Sequence, residues 1–105
     1  MIKIIIKTDE DKIIGYNVFG HANFAPKGKD IVCSAVSSIT QTALLGLKEL
    51  LKKDIEFEQD NGLSRVQINN PDKDSNLVLE TMLLGLKEIE KIYPKNVLLK
   101  YNKLN

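Results

Sequence analysis

The sequence predicts an α+β fold of two layers, a mostly antiparallel sheet of about five strands covered by two long helices, in the order ββαββαβ. Three observations predict it. Strand-like alternation occurs in pairs, at 1–19 and again at 55–68. A stretch with apolar steps of three and four follows each pair, and a short alternating run comes last. At 105 residues the chain is expected to form a single domain over 1–105.

Residues 1–8 place Ile2, Ile4 and Ile6 on one side of a strand and Lys3 and Lys7 on the other. Asp9-Glu10-Asp11 breaks the pattern as a turn. Lys12 to Phe19 suits a second strand, with Ile14, Tyr16 and Val18 expected on a common face. Ala22 to Lys29 shows no period and contains Pro26 and Gly28, which marks a loop. From Ile31 the apolar residues Val32, Val36, Ile39, Ala43, Leu47 and Leu50 follow helical spacing. This helix is expected to end near Lys52-Lys53, where basic residues suit the negative end of its dipole.

Ile55 to Gln59 and Leu63 to Ile68 read as short strands around Asp60-Asn61-Gly62. An Asn-Gly step between two such runs is a strong hairpin signal, because the turn needs positive φ. Asn69 to Lys73, with Pro71, is a connecting loop. Asp74 or Ser75 is the expected cap of a second helix that runs to about Tyr93 and stops at Pro94. Val97, Leu99 and Tyr101 alternate as the last strand. The string Leu-Leu-Gly-Leu-Lys-Glu occurs at 44–49 and at 83–88. Either the helices cross closely at Gly46 and Gly85, since glycine inside a helix costs about 1 kcal/mol, or the repeat is chance in two leucine-rich helices.

Composition excludes several classes. Apolar residues make up 43% and charged residues 28%, an ordinary globular balance. Fifteen basic against fourteen acidic residues leave a charge of +1, without the basic excess of a phosphate-neutralising nucleic-acid binder. The longest apolar run near the N-terminus, Ile4-Ile5-Ile6, is too short for a membrane span or a signal-peptide core. A cytoplasmic location, with no membrane and no direct nucleic-acid partner, is the expectation. The single cysteine, Cys33, and single histidine, His21, can supply neither an intramolecular disulfide nor a four-ligand zinc site. No metal or other cofactor is expected.

Cys33 and His21 nevertheless stand in a suggestive setting, twelve positions apart. Asp30 sits where an N-cap belongs, just before the first helical period. Cys33 then falls in the first turn, where the dipole is positive and favours a thiolate. The N–H groups of Cys33 and Ser34 there lack intrahelical partners and are candidate donors to an oxyanion. His21 closes the second strand, and the loop can return its imidazole to the helix start. A first-turn cysteine beside a histidine is the minimal thiol nucleophile with a base. Ser37 lies one turn beyond Cys33 on the same face, placed either to bond substrate or to help set the thiol rotamer. The same residues have plain readings: a buried small hydrophobe, a surface histidine, a helix cap, and hinge or turn glycines at Gly20 and Gly28.

The run Gly20-His21-Ala22, followed by Asp30-Ile31-Val32-Cys33-Ser34-Ala35-Val36-Ser37, resembles the signature of the ribosomal-processing cysteine proteases, the Prp family. The resemblance extends over essentially the whole chain in element order. Family members usually carry alanine after the cysteine, where this sequence has Ser34. The resemblance implies a cysteine endopeptidase that removes the short N-terminal extension of a bacterial large-subunit ribosomal protein, number twenty-seven, during ribosome maturation. It makes Cys33 the nucleophile and His21 the general base and then acid. Asp30 matches the family's aspartate, which orients or charges the pair. The loop bearing Phe24 and Pro26 corresponds to a mobile segment beside the site, so Ser37, Ser34, Gly20 and Phe24 become candidate substrate contacts. Family members are homodimers. Two rivals stand beside this reading: a non-catalytic ribosome-assembly or RNA-binding module with a buried cysteine, and a thiol redox sensor.

Overall fold

The computed structural model describes residues 1–26, 30–60 and 62–104. Its elements are β1 (Ile2–Asp9), β2 (Lys12–Gly20), α1 (Ile31–Leu45), β3 (Ile55–Asp60), β4 (Leu63–Ile68), α2 (Lys73–Ile92) and β5 (Val97–Lys103). The order ββαββαβ is the expected one. The strands form one sheet in the order β3-β4-β2-β1-β5. Every pairing is antiparallel except β1 with β5.

Ile2, Ile4 and Ile6 are buried beneath the helices, as their alternation requires. β2 departs from the expected face. Opposite β1 the register passes from Lys7↔Gly15 to Thr8↔Ile13, so Ile14 is an extra residue in a bulge. Ile13 and Tyr16 therefore share the core, and Ile14 is only partly covered. Gly15 is required at this point, because a Cβ there would lie 2.4 Å from the Val66 carbonyl oxygen. The Tyr16 hydroxyl donates to the Thr40 carbonyl at 3.0 Å, tying the middle of the sheet to α1. Burial holds that phenol in its neutral form, with its pKa raised far above the usual value.

α1 buries Val32, Val36, Ala43 and Leu44, then continues as one π-helical stretch over Gly46–Leu50. The Leu51 N–H bonds the Gly46 carbonyl at 3.2 Å, five residues back, which adds one residue to the turn. That extra residue rotates the stripe. Leu47 stays buried, whereas Leu50, expected inside, is 81% exposed. Lys53 does not sit on the helix end as a dipole partner. Its ammonium donates to the Asn70 carbonyl and pairs with Asp72 instead.

The N-cap of α2 lies two or three residues earlier than expected. Asp72 is the N-cap and Ser75 its N3 partner, in a reciprocal capping box. The hydrogen bond from Lys53 and the Ser75 N–H hold the Asp72 carboxyl down to about 2. The two helix glycines do not face each other. A Cβ on Gly46 would meet Val78, and one on Gly85 would meet Ile39 at 3.1 Å. Each opposed side chain stands seven positions before the other helix's glycine, so the helices run antiparallel with related contacts at both ends of their interface. Ile31–Leu50 is by length and composition apolar enough to cross a membrane, a property the short Ile4-Ile6 run had not suggested. In this fold its apolar stripe lies against the sheet and α2.

Candidate active site

β2 ends at Gly20 with φ +92°, and a Cβ there would lie 2.4 Å from the Met1 carbonyl oxygen. Glycine lets the chain leave the sheet at this crowded corner. The next residue, His21, sits over the β3–β4 turn. Its Nε2 lies 3.7 Å from where a Cβ on Gly62 would stand. The Gly20 N–H donates to the Gly62 carbonyl at 2.9 Å, which fixes the strand end to that hairpin.

Asp30 fastens the start of α1. One carboxylate oxygen accepts from the N–H groups of Val32 and Cys33, each at 3.0 Å. The other accepts from Phe24 at 3.0 Å and Ala25 at 3.4 Å. These four donors, led by the Cys33 N–H, hold its carboxyl below the ordinary carboxylate range despite burial. The anion thus joins the first helical turn to the loop that follows His21.

This geometry corrects one expectation. The Cys33 N–H is taken by Asp30, and the Ser34 N–H bonds the Asp30 carbonyl at 3.1 Å. Neither is open to an oxyanion. The helix cap recruits the donors because they would otherwise lack partners. The Ser34 hydroxyl is also turned back onto the Asp30 carbonyl, at 3.2 Å.

Cys33 is half-buried, packed partly on the core, and its sulfur accepts a hydrogen bond from the Ala22 N–H at 3.4 Å. It opens onto a cleft of about 200 Å³ that it shares with His21, Gly20 and Ser37. Ser34, Asp30 and Phe24 are not among the residues lining that cleft. His21 and Cys33 line the same space, and the sulfur's hydrogen bond is to the Ala22 N–H rather than to the imidazole. Catalytic hydrogen bonds of this kind often form or tighten only with substrate in place. Among the described residues no cluster of histidine, cysteine or carboxylate side chains suits a metal ion.

The described part of the loop after His21 is held in place. The Ala22 carbonyl accepts from the Asn96 side chain at 2.9 Å. Phe24 packs edge-on against Tyr93, ring centroids 5.3 Å apart. With the Asp30 contacts, Ala22, Phe24 and Ala25 are tied to the start of α1 and to the chain at the end of α2. Gly28, a suggested turn residue, lies outside the described residues, as does Asn61 of the hairpin.

The far wall of the cleft comes from the β3–β4 hairpin, with Gln59, Asp60, Gly62 and Ser64. Sequence reasoning missed this wall. The Asn-Gly turn was visible, but its place beside Cys33 depends on β4 pairing with β2, where Phe19 meets Leu63. The only local signal was that both runs alternate.

The sequence profile of the family described as cysteine protease Prp matches residues 1–98. The ribosomal processing cysteine protease Prp of Staphylococcus aureus is 31% identical over 101 residues, which cover 92% of this chain and 94% of that protein. The Bacillus subtilis protein of the same name is 30% identical over 109 residues, with the same coverage of 92% and 94%. The crystal structure of the Staphylococcus aureus protease with a covalently linked product peptide superposes with a TM-score of 0.91 at 28% identity, covering 97% of this chain and all of that one. A thiol and an imidazole opening on one cleft, in a fold and sequence shared along nearly the whole chain, place this protein in the Prp family of ribosomal-processing cysteine proteases.

Proposed function

We propose that this chain removes the short N-terminal extension of the bacterial large-subunit ribosomal protein number twenty-seven, in the cytoplasm, as a homodimer. The observation that carries the reading is the shared cleft of Cys33 and His21 at the start of α1. The Cys33 thiolate attacks the scissile carbonyl and the C–N bond breaks as His21 delivers a proton to the departing amine. Water, deprotonated by the same imidazole, then hydrolyses the thioester and releases the thiol. Asp30 acts as a positioning residue, because its four backbone contacts set the helix start and the chain after His21. With the Cys33 and Ser34 N–H groups occupied, the Ser37 and Ser64 hydroxyls are polar groups lining the cleft that are able to donate to substrate.

Support for pairing of two copies comes from the opposite side of the helices. A groove of about 650 Å³ between α1 and α2 is lined by Ile39, Val78, Met82, Leu50 and Leu77. Leu50 and Leu77 are 81% and 68% exposed there. Apolar surface of this kind favours association in water. The test is incubation of the precursor ribosomal protein with this chain, followed by mass determination of both products. One cut that exposes the mature N-terminus is expected, and Leu77→Glu is expected to convert a dimer to monomer in light scattering. A precursor left intact by the fully folded chain would overturn the reading.

A further inference from the structure

We propose that the open edge of β3 is where the substrate segment N-terminal to the cut docks, as an added strand, with Phe57 as its apolar contact. The inference rests on the peptidase reading above. It begins from the hydrogen-bond parity of the hairpin. The Asn69 N–H bonds the Asp54 carbonyl at 3.0 Å, and the register continues through Ile55↔Ile68 to Asp60↔Leu63 without a bulge. In an antiparallel ladder successive residues turn their backbone groups toward the partner and away from it. Glu56, Glu58 and Asp60 therefore bond β4, whereas Ile55, Phe57 and Gln59 aim N–H and C=O at the open side. β3 is the last strand of the sheet at this edge.

The side chains of those same residues fall on the helix-facing side. Phe57 shares a row with Val66 and Tyr16, both 1% exposed, yet its own ring is 42% exposed at the margin. An aromatic surface thus lies beside unpaired backbone. The next row, Val18–Ser64–Gln59, leads from the floor of the Cys33 cleft to this edge, and all three residues line the cleft. It crosses two strand spacings, roughly 10 Å, which about three residues of extended peptide span. A peptide held at Cys33 therefore reaches the edge three residues away and continues along Gln59 and Phe57.

The other edge is differently built. β5 lies at the far end of the sheet and carries Lys100 and Lys103, whereas β3 contains neither lysine nor proline, the residues that usually block strand addition. Added strands bind through main-chain hydrogen bonds and take specificity from alternate side chains.

The test uses a synthetic peptide spanning the extension and the first mature residues of the ribosomal protein, methylated at one backbone nitrogen at a time. Cleavage is expected to fall at alternate positions on the N-terminal side of the cut, by about tenfold each, the scale of one hydrogen bond. Gln59→Pro removes only an outward N–H, which an edge strand tolerates. It should lower kcat/KM about tenfold, with alkylation of Cys33 by iodoacetamide at the wild-type rate and with Gln59→Ala less affected. Phe57→Ala should raise KM with kcat retained. A flat methylation profile, or equal losses in Gln59→Pro and Gln59→Ala, would overturn the docking edge while leaving the peptidase reading intact. Failure of the wild-type chain to cut either unmodified peptide or precursor overturns both.

Discussion

Gly62 separates the stability of the hairpin from the chemistry beside it. Its φ is +77°, a region in which an L side chain costs about 1–2 kcal/mol. A Cβ there would stand 3.7 Å from His21 Nε2, an ordinary van der Waals distance. Gly62→Ala therefore strains the backbone but does not displace the imidazole. For a domain of this size 1 kcal/mol corresponds to roughly 4–8 °C in Tm, so a fall of about 5–10 °C is expected. At a temperature where both proteins are folded, kcat on the peptide should stay within about twofold of wild type, since less than 0.5 kcal/mol of barrier is involved. Gly62→Val adds branches about one bond length beyond that Cβ, into the space of the ring. It should lose stability further and also lose turnover. The assay pairs calorimetry with initial rates. Loss of turnover in Gly62→Ala at unchanged Tm would refute the reasoning, because it would mean the ring is already in tight contact or the turn is not strained by a side chain.

Three further outcomes follow from the geometry. Tyr16→Phe removes the hydroxyl bonded to the Thr40 carbonyl and is expected to cost about 1 kcal/mol in urea unfolding, with kcat unchanged. Asp30 has a lowered carboxyl pKa, so its stabilisation is fully present above the ordinary value of 3.8 and is lost as pH falls through the lowered one; the gap in urea midpoint between wild type and Asp30→Asn should be widest at neutral pH and narrow on acidification below that value. Asn96→Ala leaves the Ala22 carbonyl without its side-chain donor and should raise hydrogen exchange across residues 22–25.

Much of the fold was legible because its signals are local. The alternation of Ile2, Ile4 and Ile6, the helical spacing from Val32 to Leu47, and the Asn-Gly turn each report on a few neighbouring residues. The misses arose where a distant segment decides. Ile14 is displaced by a bulge whose glycine is demanded by the Val66 carbonyl, some fifty residues on. Leu50 is turned outward by a π-helical turn that hydrophobic spacing alone does not announce. Asp72 prevails as a cap over Asp74 because Ser75 completes its box and Lys53 reaches it from another loop.

At the site, Asp30 could be placed as the cap of α1 from its position before the apolar period, and the structure adds that its second oxygen holds the loop. The cap then removes the donors that an unfilled helix start would offer. The β3–β4 wall could not be read locally, since it reaches Cys33 only through the sheet order.

The most direct measurement is the intact mass of the enzyme quenched in acid during turnover of the peptide. The account predicts an added mass equal to the acyl fragment, carried on Cys33 by fragmentation and missing in Cys33→Ala, which should also cease to cleave. Continued cleavage by Cys33→Ala, with no acyl adduct on the wild-type sulfur, would contradict it.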